Sequence, residues 1–403
     1  MPELIVGSPP RGEDYFGQEE LIENIWSILK HDNVLLVAPR RFGKTGAMYK
    51  LLDQPREQFH PLYMDVEDIE CAGDFMIELI ANLLRDKHFR RMLDGLWKGT
   101  KGIGQFFRNL PASIELGNVK VQLREQTDIS AKWLSYGERI MSLIAEDGPP
   151  LLLLIDEFAV MLNNISAVSD TEGKQLLRWF RSARIAPKTQ TRFVIGGSIN
   201  LISTLDSMGL VDTVNDLSIV RLKPFGPGTA KQFVEAIFTS RKLEASDEIA
   251  DTILELVGSP IPYLLAVLLT SIFQRQRATK SAITKEMILT SFEEDLLGGA
   301  ASAFFRQYRS RIAQYYPGLE GQSAKAILGT LSRNQGPVRR DQLYHIYLAT
   351  RNVQPNPEVE ESFMQLMHKL DNDFYVICND DSYEFFSRVI KLWWKSHYGF
   401  QGV

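Results

Sequence analysis

VLLVAPRRFGKT, residues Val34 to Thr45, is the stretch of sequence that decides the fold. Its first four residues are wholly apolar, which is typical of a strand buried on both faces. The rest follows the pattern Gly, four residues, Gly-Lys-Ser/Thr that joins a strand to a helix, with Ala38 in place of the first glycine. The stretch therefore predicts a phosphate-binding loop at the end of a buried parallel strand.

The chemistry of such a loop assigns roles to its residues. Backbone N–H groups and the start of the following helix bind phosphate oxygens. Lys44 is expected to reach the β- and γ-phosphates, and Thr45 is expected to hold Mg²⁺. The residues expected to surround the nucleotide are Pro39, Arg40, Arg41, Phe42, Gly43, Lys44, Thr45 and Gly46. The alternative interpretation is a chance Gly-Lys-Thr turn in a helix cap.

A second motif, LLLLIDEF at residues 151–158, is an apolar strand that ends in two carboxylates. We expect Asp156 to orient Mg²⁺ through its water shell and Glu157 to polarise the attacking water as a general base. The alternative is an acidic N-cap that follows a buried strand. A glutamate beside this aspartate indicates an extra strand between the two motif strands. We therefore predict an α/β fold, an ASCE-type P-loop NTPase core with a parallel sheet in the order 5-1-4-3-2.

A third motif, TRFVIGGSIN at residues 191–200, ends the next apolar strand. In this architecture the strand that follows the acidic motif carries a polar residue which reads the γ-phosphate. Ser198 is the candidate and Asn200 the alternate. The competing interpretation is an ordinary turn at a strand end.

The helix just before that strand, LLRWFRSAR, carries Arg178, Arg181 and Arg184. In oligomeric ATPases an arginine at this place can reach the γ-phosphate of a neighbouring subunit and stabilise transition-state charge. Arg181 and Arg184, near the helix end, are the better candidates. The alternative is a solvated basic helix face.

The length and net charge of the chain exclude several classes of protein. The chain has 403 residues, a net charge of -5 and 44% hydrophobic residues, so we expect two or three globular domains and no attachment to nucleic acid by bulk positive charge. Its two cysteines and six histidines predict neither disulfides nor a zinc site. Free thiols, with no apolar run long enough to span a bilayer, predict a cytoplasmic protein.

The order of predicted elements divides the chain into three domains. Strands alternate with helices up to about residue 225, which predicts the α/β core. Residues 226–318 read as helices only, as in a lid domain. Residues 319–403 read as three helices and a β-hairpin, which is the winged-helix pattern.

Residues 85–108 form the most basic stretch, with a net charge of +5 and interleaved aromatic residues. This composition suits nucleic acid or an acidic partner surface, and the competing interpretation is an amphipathic helix with a solvated face. The segment SIELGNVKVQL that follows, with Gly117-Asn118 at its centre, predicts a β-hairpin inserted into the core within about residues 85–127.

The predicted winged helix argues against DNA binding. Its recognition helix opens with Pro357-Glu-Val-Glu-Glu361, which places three carboxylates where groove-reading residues belong. The region has a net charge of about -1, whereas phosphate binding requires an excess of cations. We expect a protein-contacting or autoinhibitory winged helix, with Arg339 and Arg340 as the phosphate contacts in the opposite case.

These motifs together resemble a known family. The lead GSPPRGEDYFGQEEL, the loop APRRFGKT, the strand ends LIDEF and GGSIN, the element VGSPIPYLL and the tail YEFFSRVIKLWW look like the prokaryotic STAND-type P-loop ATPases related to AAA+ proteins. These are the archaeal-type ATPases whose winged helix closes on a Trp-Trp pair. The resemblance covers nearly the whole chain.

The resemblance implies further site residues. In the family, residues at Phe16, Gly17, Gln18 and Glu19 pack near the adenine, and arginine is usual where this chain has Gln18. A Gly-x-Pro element of the lid contacts the base, which here is Gly258-Ser259-Pro260 or, with a shifted alignment, Pro262-Tyr263. A helix N-terminus, where proline is favoured anyway, is the structural alternative for both prolines.

The implied function is a switch driven by ATP and Mg²⁺, with slow and regulated hydrolysis, that controls homo-oligomerisation or an effector protein. Such switches often serve prokaryotic antiviral defence or mobile elements. One alternative is a DNA-binding ATPase of the initiator or transposition-regulator type. Another is a nucleotide-binding scaffold without turnover.

Overall fold

The structure, a computed structural model, describes residues 2–56, 59–96, 116–126, 128–187, 189–197, 201, 205 and 209–398. The chain divides into two compact units. The first comprises Gln18–Leu222, and the second combines Met1–Gly17 with Lys223–Val403. The predicted core, residues 1–225, ends within a few residues of this division, whereas the first 17 residues group with the C-terminal unit.

A five-stranded parallel sheet forms the centre of the first unit. Its strands are β1 (Asn33–Val37), β2 (His60–Asp65), β3 (Leu151–Asp156), β4 (Arg192–Gly197) and β5 (Leu217–Arg221). They lie in the order β2-β3-β4-β1-β5, so the predicted order 5-1-4-3-2 is confirmed. Every residue of β1 and β3 is buried, as expected for central strands covered by helices on both faces.

Eight α-helices of the described residues surround this sheet. They are α1 (Glu19–Leu29), α2 (Lys44–Asp53), α3 (Ala72–Leu83), α4 (Lys87–Leu96), α5 (Leu116–Gln126), α6 (Trp133–Asp147), α7 (Phe158–Val168) and α8 (Asp170–Ile185). The apolar residues Ile22, Ile25, Trp26 and Leu29 are the buried ones of α1, as their helical spacing predicts. A 3₁₀ turn, Val211–Val214, precedes β5.

The predicted hairpin around Gly117-Asn118 is wrong, because this segment is helix α5. Its sequence alternates apolar residues at 119, 121 and 123, a pattern that a strand and a helix both satisfy. In the structure Val119 and Leu123, four residues apart, are buried, and Val121 is exposed. Lys120 pairs with Glu78 and Arg124 with Asp74 of α3, so the helix is fixed by its apolar pair and its charges. Of the basic stretch, residues 97–108 lie outside the described part of the chain.

The second unit begins with helices. These are α9 (Pro227–Ser240), α10 (Asp247–Val257), α11 (Pro262–Thr279) and α12 (Lys285–Thr290), a π-helix (Ser291–Ala300), and α13 (Ser302–Tyr315). Arg275 of α11 binds the π-helix through Asp295 at 2.6 Å and Glu294 at 2.7 Å. The all-helical character predicted for this stretch therefore holds throughout the described residues.

The chain ends in the predicted three helices and hairpin. The helices are α14 (Gly318–Arg333), α15 (Arg340–Arg351) and α16 (Pro357–Asn372), followed by strands β7 (Val376–Asn379) and β8 (Ser382–Phe385) and by α17 (Arg388–Tyr398). A short strand that the sequence did not reveal, β6 (Val338–Arg339), completes an antiparallel sheet in the order β6-β8-β7. Asp380 and Asp381 have positive φ, as a tight hairpin turn requires.

Among the described residues, no helix combines the length and the apolar character that crossing a membrane would require.

Candidate nucleotide-binding site

The loop between β1 and α2 has the backbone shape of a phosphate-binding loop. Gly43, the residue just before α2, has φ of 98°, a conformation that side-chain-bearing residues rarely adopt. Arg41 is also left-handed, with φ of 67°. Ala38, which replaces the usual first glycine, is fully buried.

Lys44 is the central side chain of the site. Its ammonium lies 3.5 Å from Asp156 Oδ1 and 3.5 Å from Glu157 Oε1, and the side chain is 5% exposed. Within the described part of the chain Nζ has no hydrogen-bond acceptor. A buried ammonium normally has its donors satisfied, so this geometry fits an anionic group with oxygen acceptors, such as a phosphate.

Asp156 and Thr45 form the part of the site that suits Mg²⁺. Thr45 Oγ1 donates to Asp156 Oδ2 at 2.5 Å, and Glu157 N donates to Asp156 Oδ1 at 3.0 Å. In the described chain no group of three or more His, Cys, Asp or Glu side chains converges as a metal site. Mg²⁺ commonly takes only one or two protein ligands and completes its octahedron with phosphate oxygens and waters, so two oxygens fit it.

Glu157 has an unusual backbone. Its φ is 57°, in the left-handed region, and residues held there cost about 1–3 kcal/mol unless their surroundings enforce the conformation. It precedes α7, yet its side chain caps no N–H of that helix. Oε1 faces Lys44, and Oε2 is buried without a partner among the described residues. This arrangement favours a role at the site over the alternative of a helix cap.

Three further residues surround Asp156 that sequence reasoning did not assign. Tyr63 of β2 places its hydroxyl 3.4 Å from Asp156 Oδ2. Gly196 of β4 lies so close that a Cβ there would be 2.8 Å from Asp156 Oδ1. Asp65 is paired with Asp156 in the register of β2 and β3. Their position in the sequence could have identified them, since all three lie near the carboxyl ends of the strands that flank β3.

Burial and nearby negative charge raise the pKa values of Tyr63 and Asp65. Burial, followed by the charge of Asp156, raises the pKa of Tyr63 far above its usual range, so the hydroxyl remains a donor. Partial burial raises the pKa of Asp65, and the negative charges of Asp156, Glu67 and Glu157 act in the same direction. Both pKa shifts therefore arise first from burial and then from the carboxylates gathered at this end of the strands.

The loop side chains divide into inward and outward groups. Phe42 is 1% exposed and Pro39 is buried, so these two side chains pack into the core. Arg40 turns outward and pairs with Glu67 at 2.5 Å. Arg41 is exposed, and Gly46 is buried in the first turn of α2.

Arg181 and Arg184 have different environments. Arg184 is 5% exposed and binds Asp216 through two contacts, at 2.7 and 2.8 Å, and the carbonyl of Thr213 at 2.5 Å. Arg181 is partly exposed and lies 3.1 Å from Asp212. A group that must reach another subunit needs an accessible guanidinium, which argues against Arg184 in that role. Arg178 is exposed on the same helix.

Ser198 and Asn200, the candidates for reading the γ-phosphate, lie outside the described residues.

Of the residues implied near the base, Gln18 and Glu19 belong to the first unit, and Phe16, Gly17, Pro260 and Pro262 belong to the second. Phe16 packs on Phe233 with ring centroids 5.6 Å apart. Phe225, which also contacts Phe233, donates its N–H to the carbonyl of Pro260 at 3.1 Å. A small cluster thus joins Phe16 to the Gly-x-Pro loop.

Gly17 and Pro262 are two further residues of that unit that the resemblance places near the base. Gly17 has φ of 66° and lies against Thr229. Pro262 is the first residue of α11, a position that proline favours in any helix.

The sheet order, with the helices and the small antiparallel sheet that follow it, defines an α/β fold of the AAA+-like type. Among solved structures the chain is similar to the Walker-type ATPase PABY2304 of Pyrococcus abyssi, with a TM-score of 0.59 and 16% identity over 97% of this chain and 99% of that one. It is also similar to the ORC2 protein of Aeropyrum pernix in its ADPNP-ADP complexes, with a TM-score of 0.54 and 11% identity over 98% and 97% of the two chains. At these identities the likeness shows the fold alone.

No protein-family model matches the sequence, and no curated protein matches it.

Proposed function

We propose that this protein binds ATP with Mg²⁺ and hydrolyses it slowly. The observation that carries the proposal is the buried Lys44 ammonium, which lies between two carboxylates and has no acceptor among the described residues. The left-handed Gly43 next to it supports the same conclusion, because it opens the loop backbone toward phosphate oxygens.

Each residue of the site has a role in this proposal. Lys44 neutralises charge on the terminal phosphates, and Thr45 and Asp156 hold and orient the metal. Glu157 accepts a proton from the attacking water, which suits its buried Oε2, an oxygen with no hydrogen-bond partner in the described part of the chain. When bound, Mg²⁺ supplies Lewis-acid stabilisation of the charge that develops on the phosphate oxygens.

Two substitutions test this assignment. Lys44→Ala should abolish nucleotide binding, measured by calorimetry with ATP in the presence of Mg²⁺. Glu157→Gln should retain binding and lose turnover, measured as phosphate release. Unchanged binding in Lys44→Ala would refute the phosphate-binding loop. Turnover that is absent from the native protein while binding is intact would support the scaffold alternative instead.

The finer proposal is a STAND-type switch, in which nucleotide exchange or hydrolysis changes assembly or releases an effector. The resemblance of the motifs supports it, and so does the cluster that joins Phe16 to the loop of Pro260. A prokaryotic defence or mobile-element system is the setting that this resemblance suggests. Mass measurement with and without an ATP analogue tests nucleotide-driven assembly, and no change in mass in either state would count against it.

Should the protein assemble, Arg181 is the better candidate for a residue that acts on a neighbouring subunit. Its side chain is 36% exposed, and its ion pair with Asp212 lies at the surface. Pairs of that kind contribute only about 0–1 kcal/mol and are readily exchanged for another anion.

The DNA-binding alternative has little support from the C-terminal region. Arg339 pairs with Asp341, and Arg340 lies 3.0 Å from Asp381 and 3.7 Å from Glu360. Both candidate phosphate contacts are thus already neutralised by carboxylates. Residues 85–96, where Arg85, Lys87 and Arg91 are exposed, are the better place for nucleic acid. Duplex binding that strengthens with ATP and weakens steeply with salt would favour this alternative.

A further inference from the structure

The carboxylate of Asp156 is enclosed from both neighbouring strands. β3 lies between β2 and β4 in the sheet, and Asp156 is its last residue. On the β2 side, the hydroxyl of Tyr63 is directed at Oδ2 from 3.4 Å. On the β4 side, Gly196 leaves a space that Oδ1 occupies.

These two features act on different oxygens. Oδ2 accepts from Thr45 at 2.5 Å and also faces Tyr63, so one hydroxyl from the start of α2 and one from β2 fix its position. Oδ1 faces Lys44 and the Glu157 N–H. A carboxylate whose two oxygens have fixed, distinct partners cannot rotate freely about its terminal torsion, which is otherwise broad.

The space at Gly196 is necessary for this orientation. A Cβ at that position would lie 2.8 Å from Asp156 Oδ1, 2.9 Å from Met48 Cε and 3.2 Å from the Ile155 carbonyl oxygen. Met48 can give way because it is flexible, but the backbone carbonyl cannot. Any side chain at residue 196 therefore displaces the carboxylate.

We propose that Tyr63 and Gly196 are positioning residues, which hold the Asp156 carboxylate in the orientation that Mg²⁺ binding requires. This inference rests on the proposed function. The Tyr63 hydroxyl, at 3.4 Å, is the more distant of the two hydroxyls that face Oδ2.

The test is the extent to which Mg²⁺ tightens nucleotide binding. Calorimetry gives the dissociation constant of a non-hydrolysable ATP analogue in EDTA and in saturating Mg²⁺, and the ratio of the two measures the metal's contribution. Tyr63→Phe removes one hydroxyl and keeps the ring. It should leave the constant in EDTA unchanged and reduce the ratio by about three- to tenfold, the usual net contribution of one hydrogen bond.

Tyr136→Phe is the matched control, because its hydroxyl also donates to an aspartate, Asp128 at 2.6 Å, away from the site. It should leave the ratio unchanged. Gly196→Ala should reduce the ratio more than Tyr63→Phe does. Its own control is Gly197→Ala, whose Cβ would have side-chain carbons of Leu35 and Leu201 as its nearest neighbours among the described residues, at 3.3 to 3.6 Å.

The possible results distinguish failure of the proposed function from failure of the positioning role. Native protein that binds no nucleotide refutes the proposed function. Native protein that binds nucleotide but gains nothing from Mg²⁺ refutes the metal part of the proposed function and the positioning role with it. A Tyr63→Phe variant with an unchanged ratio, when the native protein does respond to Mg²⁺, refutes the positioning role alone. Equal weakening of binding by Tyr63→Phe in EDTA and in Mg²⁺ would assign Tyr63 to packing and would also overturn it. If Gly196→Ala fails to fold, the measurement on Tyr63→Phe still tests the positioning role.

Discussion

Arg388 Nη1 donates a hydrogen bond to the carbonyl oxygen of Glu255 at 2.5 Å, so the first residue of α17 caps the carboxyl end of α10. The last carbonyls of a helix lack partners within it, and cations are favoured there. Next to this contact, Ser259 Oγ donates to the Phe386 carbonyl at 2.9 Å. One hydrogen bond thus joins the start of α17 to the end of α10, and the other joins the Gly-x-Pro loop to Phe386, two residues before α17.

We predict that Arg388→Met lowers the free energy of unfolding by about 1 kcal/mol, the usual value of a capping interaction. Denaturant unfolding of the full chain measures it. Lys395→Met, at an exposed position of the same helix, is the control and should change stability by less than about 0.5 kcal/mol. Equal effects of the two substitutions would show that the cap contributes nothing specific.

A second prediction concerns Gly17, which is strained for any other residue in two independent ways. Its φ is 66°, and a Cβ would lie 2.3 Å from Thr229 Cγ2. Gly17→Ala should therefore destabilise the protein by about 1–3 kcal/mol. Combining it with Thr229→Ser removes the clashing methyl and should restore the steric part of the loss, leaving the backbone part. Thermal unfolding of the two single variants and the double variant measures the coupling, and strict additivity would contradict the clash.

The architecture was predictable because it depends on local patterns. Runs such as residues 34–37 and 151–155 can only be buried strands, and the Glu157 that follows Asp156 indicated the added strand. The helix at residues 116–126 was not predictable, because its apolar spacing suits both structures and the acidic face of α3 decides between them. The contacts of Tyr63 and Gly196 with Asp156 were not predictable either. They depend on the register between neighbouring strands, which the sequence of one segment does not determine.

Arg181 and Arg184 of α8 show the same limit of prediction from the sequence. They are three residues apart on one helix, and nothing nearby in the sequence distinguishes them. Asp216, 32 residues further along the chain, determines that Arg184 is buried.

A third prediction follows from this difference between Arg184 and Arg181. Arg184→Met leaves Asp216 without its cation and the Thr213 carbonyl without its donor, and breaking a buried pair in this way costs about 3–5 kcal/mol. Arg181→Met breaks only the exposed pair with Asp212 and should cost about 0–1 kcal/mol. Urea unfolding of both variants tests the contrast, which similar losses would disprove.

The fourth prediction is a pH dependence that arises at Asp373, a fully buried carboxyl in the second unit. Burial raises the pKa of Asp373 to about 7, although the hydrogen bond from Tyr316 at 2.6 Å and the charges of Lys369 and Arg311 act in the opposite direction. In the unfolded chain an aspartate titrates near pH 4. Between about pH 4 and 7 the native state therefore holds more protons than the unfolded state, so the contribution of this group to stability falls as pH rises.

Asp373→Asn removes the titrating group and keeps an oxygen that can accept from Tyr316. The difference in unfolding free energy between the native protein and this variant should fall by a few kcal/mol between about pH 4 and 7 and level off above that range. Denaturant unfolding of both proteins across this range measures the difference and cancels the titration of the other carboxylates. A difference that stays constant with pH, or that grows as pH rises, would mean that Asp373 is ionised in the native protein throughout.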